Sequence, residues 1–186
     1  MKKRLAIVAV SLVAVLGMTS CAKEVTAEEA NKQANSYSQD DASAKYTSGT
    51  LATSVTITSD NAKVQAALTI LGYESGKTYS TTISASIVVI TDAELKSVAS
   101  DYGSEHVKYY IDGSAVSAKV DYSGTMDQES FDISGTANIK GEFKTNGDGL
   151  VTYTYAKVSY KNAKMGSTDV GSFSSETKLT YTYTKK

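Results

Sequence analysis

Alternation with a period of two is the feature of this chain that leaves the fewest folds open. Leu179, Tyr181 and Tyr183 take every second position of one stretch, with threonines between them, and Val151, Tyr153 and Tyr155 do the same in another. LTYTY and VTYTY read as two copies of one pattern, and only a strand sets such residues on a single face. The same period runs through Leu51, Thr53, Val55 and Ile57. It returns in Ile83, Ala85, Ile87 and Val89, where Val88 and Ile90 mark an end buried on both sides. Phe131, Ile133, Ala137, Ile139 and Phe143 form a further row, with Gly135 and Gly141 on the same face where a curved sheet needs room. After Tyr155 the apolar residues change parity to Val158 and Tyr160, which predicts a β-bulge near Ala156-Lys157.

Two stretches abandon this period. Thr26 and Glu29 have capping-box spacing, with Val25 and Ala30 as a hydrophobic staple, and predict a weakly packed helix over residues 26–38 that stops before Asp40-Asp41. Thr91 and Glu94 repeat that spacing ahead of the stripe Leu95, Val98, Ala99 and Tyr102, and Gly103 ends it. A helix over residues 91–102 should therefore lie against the sheet. Residues 62–71 fit either period, through Val64, Ala67, Leu68 and Leu71 as a helix or Val64, Ala66, Leu68 and Ile70 as a strand. The short Asp60-Asn61 turn before them favours a strand. Asp112-Gly113 is a type I′ hairpin signal that would pair Tyr109 with Val116 and Val107 with Ala118. The expected class is α+β, mainly antiparallel β: a curved sheet or half-barrel of about eight strands with two short helices, one domain over residues 26–186.

At the N-terminus Lys2, Lys3 and Arg4 lead into an apolar run from Leu5 to Gly17, and Met18-Thr19-Ser20 precede Cys21, the only cysteine. The run is too short to span a bilayer and reads as a secretory signal peptide. Ending on cysteine, it resembles the lipobox of bacterial lipoproteins. That resemblance implies removal of residues 1–20, acylation of Cys21 by chains such as palmitate, and a lipid-anchored spacer over residues 21–25. The membrane is then the first partner. The home is the outer leaflet of the cell membrane, or the outer membrane if the host has one, since Ala22 stands where an aspartate would oppose onward sorting. Beyond the leader all sixteen cationic residues are lysines, set against 20 carboxylates. Without arginine or a basic stripe, nucleic acid is excluded as a partner. With Cys21 acylated no internal disulfide can form, so folding rests on packing alone.

Motifs for chemistry fail on their mechanics. Gly72 to Thr78 nearly spells a phosphate-binding loop, but three residues separate its glycines instead of four, and a strand follows instead of a helix. Ser175 and Lys178 have the Ser-x-x-Lys spacing of acyl-serine enzymes, yet inside a strand pattern. His106 is the only histidine and its parity puts it with Lys108 and Lys119 on a polar face, so neither a zinc site nor a Ser-His-Asp triad can be assembled. Asp40-Asp41 and the Asn146/Asp148 turn read as capping and turn residues, not as a calcium loop. No catalytic residue, metal or cofactor is expected, and the chain is read as a non-enzyme.

The order of anchor, short helix, three strands, helix and a hairpin at Tyr109-Tyr110-Ile111-Asp112-Gly113 resembles the LolA-like half-barrel carriers of the bacterial envelope. That resemblance implies a curved sheet, lidded by helices, whose concave face holds acyl chains. Tyr109, Tyr153, Tyr155, Tyr181 and Tyr183 are the candidate contacts, as rings that line either a core or an amphiphile-binding face. The expected function is a membrane-anchored lipoprotein that binds or shields an amphiphilic ligand. The rival is a structural or adhesive surface lipoprotein with no pocket.

Overall fold

The computed structural model describes residues 22–128 and 133–186; the leader, Cys21 and Phe131 lie outside them. Eight antiparallel strands make one curved, unclosed sheet. Its order is β1 (Lys23–Val25), β4 (Val107–Asp112), β5 (Ala115–Gln128), β6 (Ile133–Thr145), β7 (Val151–Met165), β8 (Thr168–Lys185), β2 (Tyr46–Ser59) and β3 (Thr78–Ala85). β4 to β8 are thus a meander of hairpins, flanked by β1 at one edge and the β2–β3 pair at the other.

Four helices, α1 (Ala27–Ala34), α2 (Gln39–Lys45), α3 (Ala62–Ile70) and α4 (Asp92–Tyr102), contribute to apolar clusters on one side of this sheet. Both capping boxes form as the spacing predicts. The Glu29 amide donates to Thr26 Oγ1 at 3.2 Å while the Thr26 amide donates to Glu29 Oε2 at 2.9 Å, and Thr91 and Glu94 do the same for α4. Gly103 ends α4 with φ 90°. Leu95 of α4 and Ala30 and Ala34 of α1 pack on Val107, Tyr109, Val116, Val151 and Leu179 of the sheet.

Six local expectations are corrected. Residues 26–38 are not one helix: α1 stops at Asn35, and Ser38 caps α2 by accepting from the Asp41 amide at 3.0 Å. Asp40 and Asp41 therefore open a helix, where carboxylates suit the dipole, and do not close one. Residues 62–70 are α3, not a strand, because Asn61 Oδ1 accepts from the amides of Lys63 at 2.9 Å and Val64 at 3.3 Å. The strand expected to run to Val89 ends at Ala85, leaving Ile83 55 % exposed, and the following segment crosses to the 150 region, where Val89 bridges Leu150.

The hairpin register is shifted by two. Tyr109 lies opposite Ala118 and Val107 opposite Val120, while Asp112 pairs with Ala115, so the turn is Gly113-Ser114. Only Gly113 has positive φ there, 60°, as in a type II′ turn. A shift of two keeps every side chain on its expected face. The bulge is also elsewhere. Tyr153 to Tyr160 pair without interruption on both sides, and the breaks lie at either end of that run: at Val151-Thr152, which together oppose Thr145, and between Tyr160 and Lys164. Finally β1, three residues paired with Tyr109 to Ile111, is not foreseen from the alternation, so one strand is gained and one lost.

Leu95 is wholly buried whereas Ile70, on the outside of α3, is 86 % exposed. Urea unfolding should show Leu95→Ala costing about 2 to 5 kcal/mol, from lost burial and a residual cavity. Ile70→Ala should stay within about 0.5 kcal/mol.

Candidate functional site

The bulge divides the five candidate tyrosines. Strand alternation and register put Ala137, Ile139, Phe143, Val158, Tyr160, Leu179 and Tyr181 on the helix side, and Val151, before the break, is there too. Tyr153 and Tyr155, after it, point to the opposite face. The expectation that Val151, Tyr153 and Tyr155 share one stripe with Leu179, Tyr181 and Tyr183 is thus corrected. The parity change that divides them sits ahead of both tyrosines, and a second break in β7 follows Tyr160.

On the helix side, Tyr109 is 5 % exposed and its hydroxyl donates to the Leu95 carbonyl at 3.3 Å, pinning α4 to β4. Tyr183 is half-buried, stacks on Tyr181 at 5.9 Å between ring centroids, and donates to the Val151 carbonyl at 2.9 Å. Burial raises the pKa of Tyr109, Tyr181 and Tyr183 above the ordinary phenol value. Three of the candidates are therefore packing residues with tethered or shielded rings.

The opposite face is polar and open. Its central row runs Lys108, Lys119, Glu142, Tyr155, Lys178 across β4, β5, β6, β7 and β8. On one side of this row Lys144 sits beside Tyr153, and on the other Lys157 pairs with Glu176. Lysine ammonium groups stand over the rings, Lys144 at 5.1 Å from the Tyr153 centroid, Lys178 at 5.9 Å from Tyr155 and Lys119 at 5.4 Å from Tyr110. Glu142 serves Lys119 and Lys144, and Glu176 serves Lys157 and Lys178. Partial burial, then the Glu142 and Glu176 charges, raise the pKa of Tyr153 and Tyr155 respectively. Tyr110, which is not one of the five candidates, and Tyr155 both line an open groove of about 420 Å³ with Lys119, Lys140 and Glu142. Its signal was in the sequence, as a tyrosine two residues before the hairpin turn and out of phase with Tyr109.

A third surface lies at the β2–β3 edge of the helix side. Tyr181, Leu51 and Ile83 form one cross-strand row, and Val55 and Tyr79 another. Leu51 and Tyr181 border the main core, and the row then runs outward to the exposed Ile83. Among the described residues the four exposed large apolar ones, Ile70, Leu71, Tyr73 and Ile83, all fall in this β2–α3–β3 part of the chain.

The weaker motifs take structural places. Gly72 and Gly76 turn with φ 82° and 80°, and β3 follows. Ser175 and Lys178 alternate onto opposite faces of β8, so the lysine cannot activate that hydroxyl. His106 lies edge-on to Tyr122 at 5.1 Å, partly covered instead of solvated. Asp148 accepts from Lys45 at 2.5 Å and from the Tyr46 hydroxyl at 2.7 Å, and Lys45 holds its pKa below the usual carboxylate range. Among the described residues no group of three His, Cys, Asp or Glu is placed to share a metal, and no helix is long and apolar enough to cross a membrane.

Because Tyr183 holds its proton more tightly when folded, its share of stability is full below the unfolded phenol pKa of about 10 and is lost as pH rises through the folded value. Urea midpoints measured from pH 8 to about 12 should therefore fall more steeply for the native chain than for Tyr183→Phe.

Comparison of the chain with protein-family models, with curated proteins and with solved structures finds no match.

Proposed function

We propose that this chain is a membrane-anchored, non-enzymatic lipoprotein of a bacterial envelope, held by acyl chains on Cys21, that binds an amphiphilic ligand at the β2–β3 end of its helix-side face. The observation that carries this reading is the row Tyr181, Leu51, Ile83, which leaves the packed core and ends 55 % exposed. Cross-strand register makes such a row a continuous apolar stripe, and stripes of this kind are stabilised when covered. α1 and α4 cover the stripe only at its inner end, through Leu95, Ala30 and Ala34. An acyl chain laid along the outer end removes apolar area from water at about 25 cal/mol per Å². The tyrosine hydroxyls nearby suit the polar end of the same molecule.

Tyr153 and Tyr155 take no part in this binding. With Tyr110 they belong to the charged open face, and that face favours the second reading, a surface or adhesive lipoprotein that meets its partner through polar contacts.

Native mass spectrometry of the full chain purified from its host separates the two. The expected spectrum shows a non-covalent lipid-sized mass beyond the covalent anchor, lost in Ile83→Asp and kept in Tyr153→Ala. A native chain with no such mass contradicts the amphiphile reading and leaves the surface role.

A further inference from the structure

The two edges of the sheet are protected unequally. β1 is three residues long and carries Lys23 and Glu24, the short charged kind of edge that resists further pairing. β3 runs eight residues in unbroken register with β2, from Thr78 opposite Thr56 to Ala85 opposite Gly49, and it has no charge, proline or bulge. No strand among the described residues pairs with its outer side.

Residues 78–84 are also palindromic in chemical class about Thr81. Laid antiparallel on itself with Thr81 opposite Thr81, the segment pairs Ser80 with Thr82, Tyr79 with Ile83 and Thr78 with Ser84. Aromatic against β-branched and hydroxyl against hydroxyl are favourable cross-strand pairs, and like charges nowhere meet. Tyr79 and Ile83 both lie on the helix side, beside Val55 and Leu51, so the pairing keeps apolar with apolar. A self-complementary patch is what a two-fold dimer, the commonest closed assembly, requires.

We propose that β3 is a homodimer interface at which two copies of this chain pair strand to strand, antiparallel, about a two-fold axis through Thr81. The two sheets join into one. The row Tyr181, Leu51, Ile83 then continues into the second copy's Tyr79 and Val55, and Ile83 gains a neighbour on its open side. The dimer does not depend on ligand binding, and a chain that carries no lipid can still form it.

Cysteine cross-linking of the full chain in its membrane tests the register. Opposed residues of an antiparallel pair have Cα atoms about 4.5 to 5.5 Å apart, inside the span of a disulfide. Residue 84 of each copy would be six positions out of step, about 20 Å apart. On oxidation Thr81→Cys should give several-fold more disulfide dimer than Ser84→Cys or the native chain. Equal dimer from both variants, or none from either, overturns the interface. Thr81→Lys sets two ammonium groups opposite each other, and should convert the detergent-solubilised chain from dimer to monomer in sedimentation while its far-ultraviolet circular dichroism spectrum stays that of the native chain. A native chain that sediments as a monomer, or a Thr81→Lys chain that stays dimeric, overturns it as well.

Discussion

Thr145 of β6 is opposed by two residues of β7, Val151 and Thr152, and the character of both faces of the sheet depends on that extra residue. Before it, Val151 joins Leu95, Val116 and Leu179 in the core; after it, Tyr153 and Tyr155 turn away toward lysines and carboxylates. A bulge interrupts the ladder and leaves main-chain groups to be satisfied by other means. Here the Thr145 hydroxyl accepts from the Val116 amide at 2.9 Å and donates to the Val116 carbonyl at 3.0 Å, and the Val151 amide donates to Val88 at 2.9 Å. The adjoining turn is fixed as firmly. Gly149 has φ 75°, and a Cβ there would fall 2.2 Å from the Tyr37 ring, while the Tyr37 hydroxyl donates to the Ser114 carbonyl of the neighbouring hairpin.

The two faces contribute differently. Burial on the helix side is the large stabilising term, at about 1.5 to 3 kcal/mol for each fully buried aliphatic side chain. The other face is a lattice of exposed ion pairs, worth about 0 to 1 kcal/mol each, and of lysines over tyrosines, worth about 0.5 to 1 kcal/mol when exposed. It adds little to folding and is free to serve contact with something outside the chain. The apolar edge at β2 and β3 belongs to neither regime: its residues continue the core pattern without the core's cover, which a ligand on its face or a second copy at its edge would supply.

Much of this was legible in the sequence. Period-two alternation announced the antiparallel sheet, and the capping boxes at Thr26 and Thr91 marked the starts of α1 and α4. The parity break in β7 was also visible, but it was expected some five residues late, because tyrosine satisfies an apolar pattern whether its ring is buried or lies flat beneath a lysine. The register that sets Lys144 and Lys178 beside Tyr153 and Tyr155 decides between those cases, and register is not local information. α3 is not legible as a helix because its apolar residues fit both periods and its Asn61 cap has the composition of a turn. The exposure of Ile83 could not be read at all, since alternation says which residues share a face and not whether a helix covers it.

Lysine substitution at residues 151 and 155 tests the two-faced sheet most directly, because a strand without the bulge puts both on one face. The account predicts that Val151→Lys, which buries an ammonium in the core, costs at least about 4 kcal/mol or prevents folding. Tyr155→Lys, between Glu142 and Lys178 on the open face, should stay within about 1 kcal/mol in urea unfolding. Equal costs at the two positions, whether both large or both small, would contradict it.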